Sequence, residues 1–137
     1  MNRRSFLATT SAGALCLVCG CKPKAPYEVV PLTGKVTYQG KPLPKEFHIE
    51  FQNDDGSRPS VGKILDDSGS FETWHTGTQK GVKPGSNTIT VYWDNDTAVV
   101  PVPEEYTEMI AKYGFGGSAN LKVDIKGKDS KFEVNFE

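Results

Sequence analysis

Cysteine is scarce in this sequence: three residues in 137, all within "CLVCGC" between Cys16 and Cys21, and none afterwards. With no thiol beyond position 21, the bulk of the chain has no disulfide to staple it, so its stability must come from packing. Histidine is nearly as rare. His48 and His75 are the whole supply, and neither has a partner cysteine in the folded part, which excludes the usual zinc ligand sets. No apolar run approaches the roughly 20 residues that a membrane-spanning helix needs. The nearest is a weakly apolar stretch from Phe6 to Val18, rich in Ala, Ser, Thr and Gly. Charge of one sign is lacking too: 17 acidic residues face 16 basic ones, without a basic cluster interleaved with aromatics. The electrostatic footprint of nucleic-acid binding is therefore missing. No internal repeat or low-complexity tract occurs.

What is present begins with "MNRRSFLATTSAGALCLVCG", a short basic start followed by that weakly apolar run, which is the layout of a bacterial export signal. A redox reading of Cys16 and Cys19 would need a strand before them and a helix N-terminus after them to lower a thiol pKa, and their flanks belong to the signal. The tetrad Val18-Cys19-Gly20-Cys21 instead resembles the lipobox of bacterial lipoproteins. That resemblance implies cleavage after Gly20 and a diacylglycerol on the Cys21 thiol. Cys16 and Cys19 do not fit the modified position, because Leu15 and Val18 before them are too large. "NRRSFLA" also resembles a twin-arginine export signal through Arg3 and Arg4, with Asn2 and Ala8 departing from its usual residues. The general secretion route, with an ordinary basic start, is the alternative.

Two or three acyl chains, at ~0.8 kcal/mol per buried methylene, anchor a protein stably. The expected organisation is a signal peptide over 1–20, a lipidated tether over 21–31 and a folded domain over 32–137. The three prolines of "KPKAPYEVVP", Lys22 to Pro31, suit a semi-extended spacer, with an edge strand in its second half as the alternative. Loss of Met1 to Gly20 leaves 17 acidic residues against 14 basic, a formal charge of −3. The expected location is the membrane on the exported side. Lys22, where the best-known lipoprotein sorting rule places an inner-membrane Asp, favours the outer membrane.

The folded part reads as short strands and turns. Leu32, Gly34, Val36 and Tyr38 alternate with polar residues before a turn at Gln39-Gly40-Lys41-Pro42. Phe47, Ile49 and Phe51 point inward and His48, Glu50 and Gln52 outward. "SVGKILDDSGSFETW" reads as a hairpin turning at Asp66-Asp67-Ser68-Gly69. Asn87, Ile89, Val91 and Trp93 share one face of the next strand. Tyr106, Met109, Ile110 and Tyr113 stand at helical spacing behind Glu104 and Glu105, which predicts a short helix over 104–113. Two final strands, Leu121-Val123-Ile125 and Phe132-Val134-Phe136, joined around Gly127-Lys128-Asp129, are expected to close the sheet. The fold class is all-β: an antiparallel two-sheet Greek-key sandwich of about seven strands.

Several of these features together resemble the carboxypeptidase regulatory-like, transthyretin-like sandwiches of small bacterial lipoproteins. They are Gly34-x-Val36, Gly40-x-Pro42-Leu43, the "IEF" strand, the turn Asp67-Ser68-Gly69-Ser70-Phe71, Pro84-Gly85 before "TITVYW", and "VPEEY". The resemblance covers most of Leu32 to Phe136. Asn87 and Pro44-Lys45-Glu46 depart from its pattern. It implies an accessory or binding role, with no catalytic set and no cofactor.

The resulting expectation is a membrane-anchored, non-enzymatic binding or structural module of the cell envelope, whose partners are the membrane and an envelope protein or glycan. Carbohydrate binding could use Trp74 and Tyr92, both opposite the inferred core face. Calcium could use "NDD", "LDDSG" or "WDND", although no EF-hand register fits, since Gly77 stands where Asp66 would need an acidic ligand. A hydrolase would rest on His75, near Glu72 and Trp74, with no accompanying nucleophile motif. Glu104 and Glu105 are adjacent, so they diverge or serve a helix start rather than flank a substrate bond.

Overall fold

The alternation of apolar and polar residues becomes strands almost position for position. The computed structural model describes residues 25–94, 100–127 and 131–137. These contain β1 (Thr33–Tyr38), β2 (Lys41–Pro42), β3 (Phe47–Asn53), β4 (Ser60–Ile64), β5 (Ser70–Trp74) and β6 (Gly85–Trp93). A 3-10 turn at Glu104–Tyr106 leads into α1 (Thr107–Tyr113), and β7 (Leu121–Ile125) and β8 (Phe132–Phe136) follow. The helix expected over 104–113 is therefore present. Signal peptide, lipobox and export arginines, including Arg3, Arg4, Gly20 and Cys21, lie outside the described residues, as do the second half of "WDND" and the tip of the last connection.

The strands form one strongly curled half-barrel sheet, which corrects the expected pair of stacked sheets. Pairing runs without a break from β1 through β5, β4, β3 and β6 to β7, with β8 on the other side of β1. Inward alternation is the same whether one sheet curls around a core or two sheets enclose it, so the pattern alone could not separate them. The last two strands also differ from expectation. β7 pairs antiparallel with β6, whereas β8 pairs parallel with β1, Gly34 opposite Phe132 through Tyr38 opposite Phe136. They lie at opposite ends of the sheet, and one pair is parallel where all were expected to be antiparallel.

Two inward glycines permit this curl. At Gly34 a Cβ would collide with the backbone carbonyl of Phe132 in β8. At Gly62, in the middle of β4, a Cβ would come within 2.6 Å of Ile49 Cγ1, and the side chains of Ile49 and Phe51 fill that space instead. Glycine in a strand marks such close approach.

The core sits in the hollow of the curl. Phe47, Ile49 and Phe51 of β3 are buried together with Val36, Phe71, Val91, Val134 and Phe136, as their alternation predicts. Phe51 meets both Phe71 and Phe132, ring centroids 6.1 and 6.4 Å away, so the two sides of the hollow touch. The helical segment closes one end: Met109 is fully buried, and Tyr106 packs edge-on to Phe47 at 4.9 Å and against Tyr38 at 6.2 Å. Amphipathic spacing is what aims Tyr106 and Met109 at the hollow.

The buried polar residues hold the sheet's far end. Asn87, which departs from the resembled pattern, is wholly buried, and its Nδ2 donates to the carbonyls of Lys83 and Gly85 at 3.1 and 2.9 Å. Its cross-strand partner Asn53 donates to the Pro84 carbonyl at 3.0 Å. Two inward amides thus take up the carbonyls of the Lys83–Gly85 turn, which an apolar residue would leave unpaired.

Candidate functional site

The outward side chains of β3 to β6 make the most distinctive surface. Strand register sets Tyr92, His48, Lys63 and Glu72 in one row across β6, β3, β4 and β5. Thr90, Glu50, Val61 and Trp74 form the next row. Tyr92, His48, Lys63, Val61 and Trp74 of these rows, with the end of the β3–β4 loop at Arg58 and the start of the β5–β6 loop, shape an open concavity of about 430 Å³. It is lined by His48, Arg58, Lys63, Trp74, His75 and Tyr92, among others. Trp74 and Tyr92, singled out in the sequence as lying opposite the core, are brought to one site.

The electrostatics of this face are uneven. Lys80 and Lys63 lie over the Trp74 ring, Nζ 4.8 and 5.9 Å from its centroid. Glu72 is engaged twice, accepting from Trp74 Nε1 at 3.2 Å and from Lys80 Nζ at 2.8 Å, and these contacts hold its carboxyl below the usual range. His48 Nε2 stands 3.6 Å from Asp94 Oδ2, and its ring meets Tyr92 edge-on at 5.5 Å. On the far side of Tyr92 comes Phe115, 65% exposed, with ring centroids 5.5 Å apart. Burial pushes the Glu50 carboxyl up.

His75 lies at one end of the concavity and is bonded on both ring nitrogens. Ser60 Oγ is 2.8 Å from Nδ1 and Tyr27 Oη 2.9 Å from Nε2. His75 is 3% exposed and Ser60 1%. Burial first, then the nearby positive charges of Arg58 and Lys83, holds the imidazole below its usual range, so it is neutral at pH 7. A serine beside a histidine is a hydrolase motif in outline, but this hydroxyl is sealed inside the protein. Glu72, named beside His75 in the sequence, turns to Trp74 and Lys80 instead.

Tyr27 carries residues 25–31 onto the domain. Val30 and Val82 exchange two backbone hydrogen bonds of 2.9 Å, the Ala25 N–H donates to Gln79 Oε1 at 3.3 Å, and Lys83 Nζ lies 4.3 Å from the Tyr27 centroid. This stretch, read as a spacer or an edge strand, makes one isolated β-bridge, Val30 with Val82, with Val30 buried, in addition to these side-chain contacts.

The acidic loops are occupied by the protein's own groups. Asp54 Oδ2 accepts from Ser86 Oγ at 2.7 Å and Lys122 Nζ at 3.0 Å. Asp55 pairs with Lys83, which brings its carboxyl to about 2. Asp66 accepts from the Ser68 N–H at 2.9 Å and closes its own turn. Among the described residues no three His, Cys, Asp or Glu side chains converge as a metal-binding group. Glu104 and Glu105 sit in the 3-10 turn before α1, where acidic residues suit the dipole. Sequence reasoning missed Arg58, a loop residue with no periodic signal. It placed His48 on the outward face without a role, and the register with Tyr92 makes it part of the site.

No family model matches the sequence, and no curated protein matches it. Among solved structures the chain is similar to a DUF3823 family protein from Parabacteroides merdae, at 18% identity and a TM-score of 0.42. The match covers 77% of this chain and 44% of that one, so the chain spans less than half the length of the protein it resembles.

Proposed function

We propose that the chain is a non-enzymatic envelope lipoprotein, exported, held at the membrane by lipid on Cys21, and binding its partner through the outer face of the sheet. The observation that carries the binding reading is the convergence of Trp74, Tyr92 and His48 in one concavity on the solvent side of β3 to β6. Folding places no demand for aromatic residues there, because the hollow on the other side already holds the core. The sealed Ser60 hydroxyl beside His75 supports a role without catalysis. Engagement of Asp54, Asp55 and Asp66 by lysines and turn donors argues against calcium as the ligand. The finer resemblance, to the carboxypeptidase regulatory-like domains of small bacterial lipoproteins, belongs to the same proposal. It is supported by the "IEF" segment falling on β3 and the Asp67–Phe71 turn joining β4 to β5.

Two measurements test the reading. Cys21→Ser should move the protein from the membrane fraction to the soluble one, and a mutant that still sediments with membranes removes the anchor. A photocrosslinking residue in place of Tyr92 should trap an envelope component in cells, whereas one in place of Lys41, exposed on β2 away from β3 to β6, should not. Equal trapping from both positions, or none from Tyr92, would remove the binding face.

A further inference from the structure

The concavity on the outer face is lined by two full cations, Arg58 and Lys63, and by no carboxylate among the described residues. This occurs on a chain with more acidic than basic residues, 17 against 16. Neither cation forms an ion pair among the described residues, whereas Lys80, Lys83, Lys122 and Lys126 each do. The carboxylates at the border are already engaged: Glu72 by Lys80 and Trp74, and Asp94 by His48. Glu50, in the row beside His48, does not line the concavity, and burial pushes its carboxyl up. The lining itself thus carries cations without carboxylates, and Glu72, cross-strand from Lys63, lies at its border, at a site framed by aromatic rings.

Geometry narrows the ligand further. Tyr92 on β6 and Trp74 on β5 are separated by β3 and β4, which is roughly 14 Å at the usual strand spacing. A ligand that touches both rings is an oligomer, longer than one sugar. Sugar rings stack their C–H faces on aromatic rings, and Arg and Lys hold carboxylate, sulfate or phosphate through charge-assisted hydrogen bonds.

We propose that this face binds an acidic oligosaccharide, with sugar rings against Trp74 and Tyr92 and an anionic substituent between Arg58 and Lys63. The inference rests on the binding-face reading above and names its ligand class. A single-stranded nucleic acid would use similar stacking, but two cations without a wider basic surface are too few to follow a phosphate backbone.

The test uses the detergent-solubilised full chain on an array of uronate, sulfated and phosphorylated oligosaccharides. Each is printed beside its neutral parent, methyl-esterified or stripped of its sulfate or phosphate. Acidic members should be retained about tenfold more tightly than their parents at low salt, with the gap closing as salt rises. The double variant Arg58→Ala, Lys63→Ala should lose that preference, and Trp74→Ala should lose binding to both forms. Trp74→Phe, which keeps a ring, should restore part of it, and each variant's melting curve should match the parent's. Equal retention of neutral and acidic members would overturn the acidic ligand and leave the binding face standing. No retained glycan, with trapping from position 92 intact, would overturn the glycan and again spare the face. Binding indifferent to Trp74→Ala and to the double variant would overturn both. An acidic peptide trapped at position 92 in place of a glycan would overturn the inference alone.

Discussion

The two faces of β3 are built from alternate residues of one seven-residue segment, and they answer to different physics. Phe47, Ile49 and Phe51 fill the hollow of the sheet and are at most 1% exposed. His48, Glu50 and Gln52 point the other way, into the rows that run toward Tyr92 and Trp74. Packing chooses the first set, because any change in volume there is felt by Phe71, Trp93 or Tyr106. Little in the fold chooses the second set. An indole and a phenol gathered on the side that folding leaves free therefore say more about binding than a whole core of phenylalanines. The comparison predicts that inner substitutions act on stability and outer ones on ligand.

The largest effect should come from the inner face. Phe47 is wholly buried between Trp93 and Tyr106, 4.8 and 4.9 Å away edge-on. Phe47→Ala should cost about 3–5 kcal/mol, the transfer term plus the cavity left under the helical segment. Urea denaturation of the full chain measures it. A loss below about 1 kcal/mol would mean that the helical segment does not close the hollow through Tyr106 as described.

A smaller effect belongs to the seam between the faces, where His75 joins residues 25–31 to the sheet through Tyr27. The unfolded imidazole takes its proton near pH 6.5 and the folded one at a lower pH. Between those values the unfolded state binds more protons, so stability is fully present above about pH 6.5 and falls as pH drops through the folded pKa. Denaturation at pH 7.5, 6.5 and 5.5 should show that decline, and His75→Gln should flatten it. Glu50, whose raised carboxyl acts in the acid range with the opposite sign, is common to both proteins and drops out of the difference. Tyr27→Phe, which removes one bond to the ring, should cost about 0.5–1.5 kcal/mol at pH 7.5. Identical pH profiles for wild type and His75→Gln would show that the buried ring is not what couples this segment to the sheet.

Legibility in the sequence follows the same division. The inner face could be read from period-two alternation, which named Val36, Phe47, Ile49, Phe51, Val91, Val134 and Phe136 correctly, and helical spacing found Met109. The order of strands could not. β7 and β8 look like a terminal hairpin, yet they pair with β6 and β1 at opposite ends of the sheet. Nothing local distinguishes two strands that pair with each other from two that pair elsewhere. Nor could the curl be read, since it depends on which residues Gly34 and Gly62 face across the sheet, Phe132 from a strand remote in sequence and Ile49 from the neighbouring strand. The aromatic half of the binding face was visible as Trp74 and Tyr92 off the core face. Its cationic half was not, because Arg58 sits in a loop and meets Lys63 only through the register of β3 with β4.

The smallest effect on stability should come from the residue with the largest effect on binding. Trp74 is half-buried, and its neighbours are the ends of Lys63 and Lys80 and the carboxylate of Glu72 rather than the packed interior. Its cross-strand partner is Val61, so Trp74→Ala gives up one outer-face pair, worth about 0.2–1 kcal/mol, and opens no cavity in the core. The ion pair of Lys80 with Glu72 does not depend on the indole and stays in the variant. A thermal melt of Trp74→Ala within a few degrees of the parent, with ligand retention abolished, is the outcome that separates the two faces. A large drop in melting temperature would instead place the indole among the residues that hold the sheet together, and the outer face would no longer be free for a ligand to have shaped.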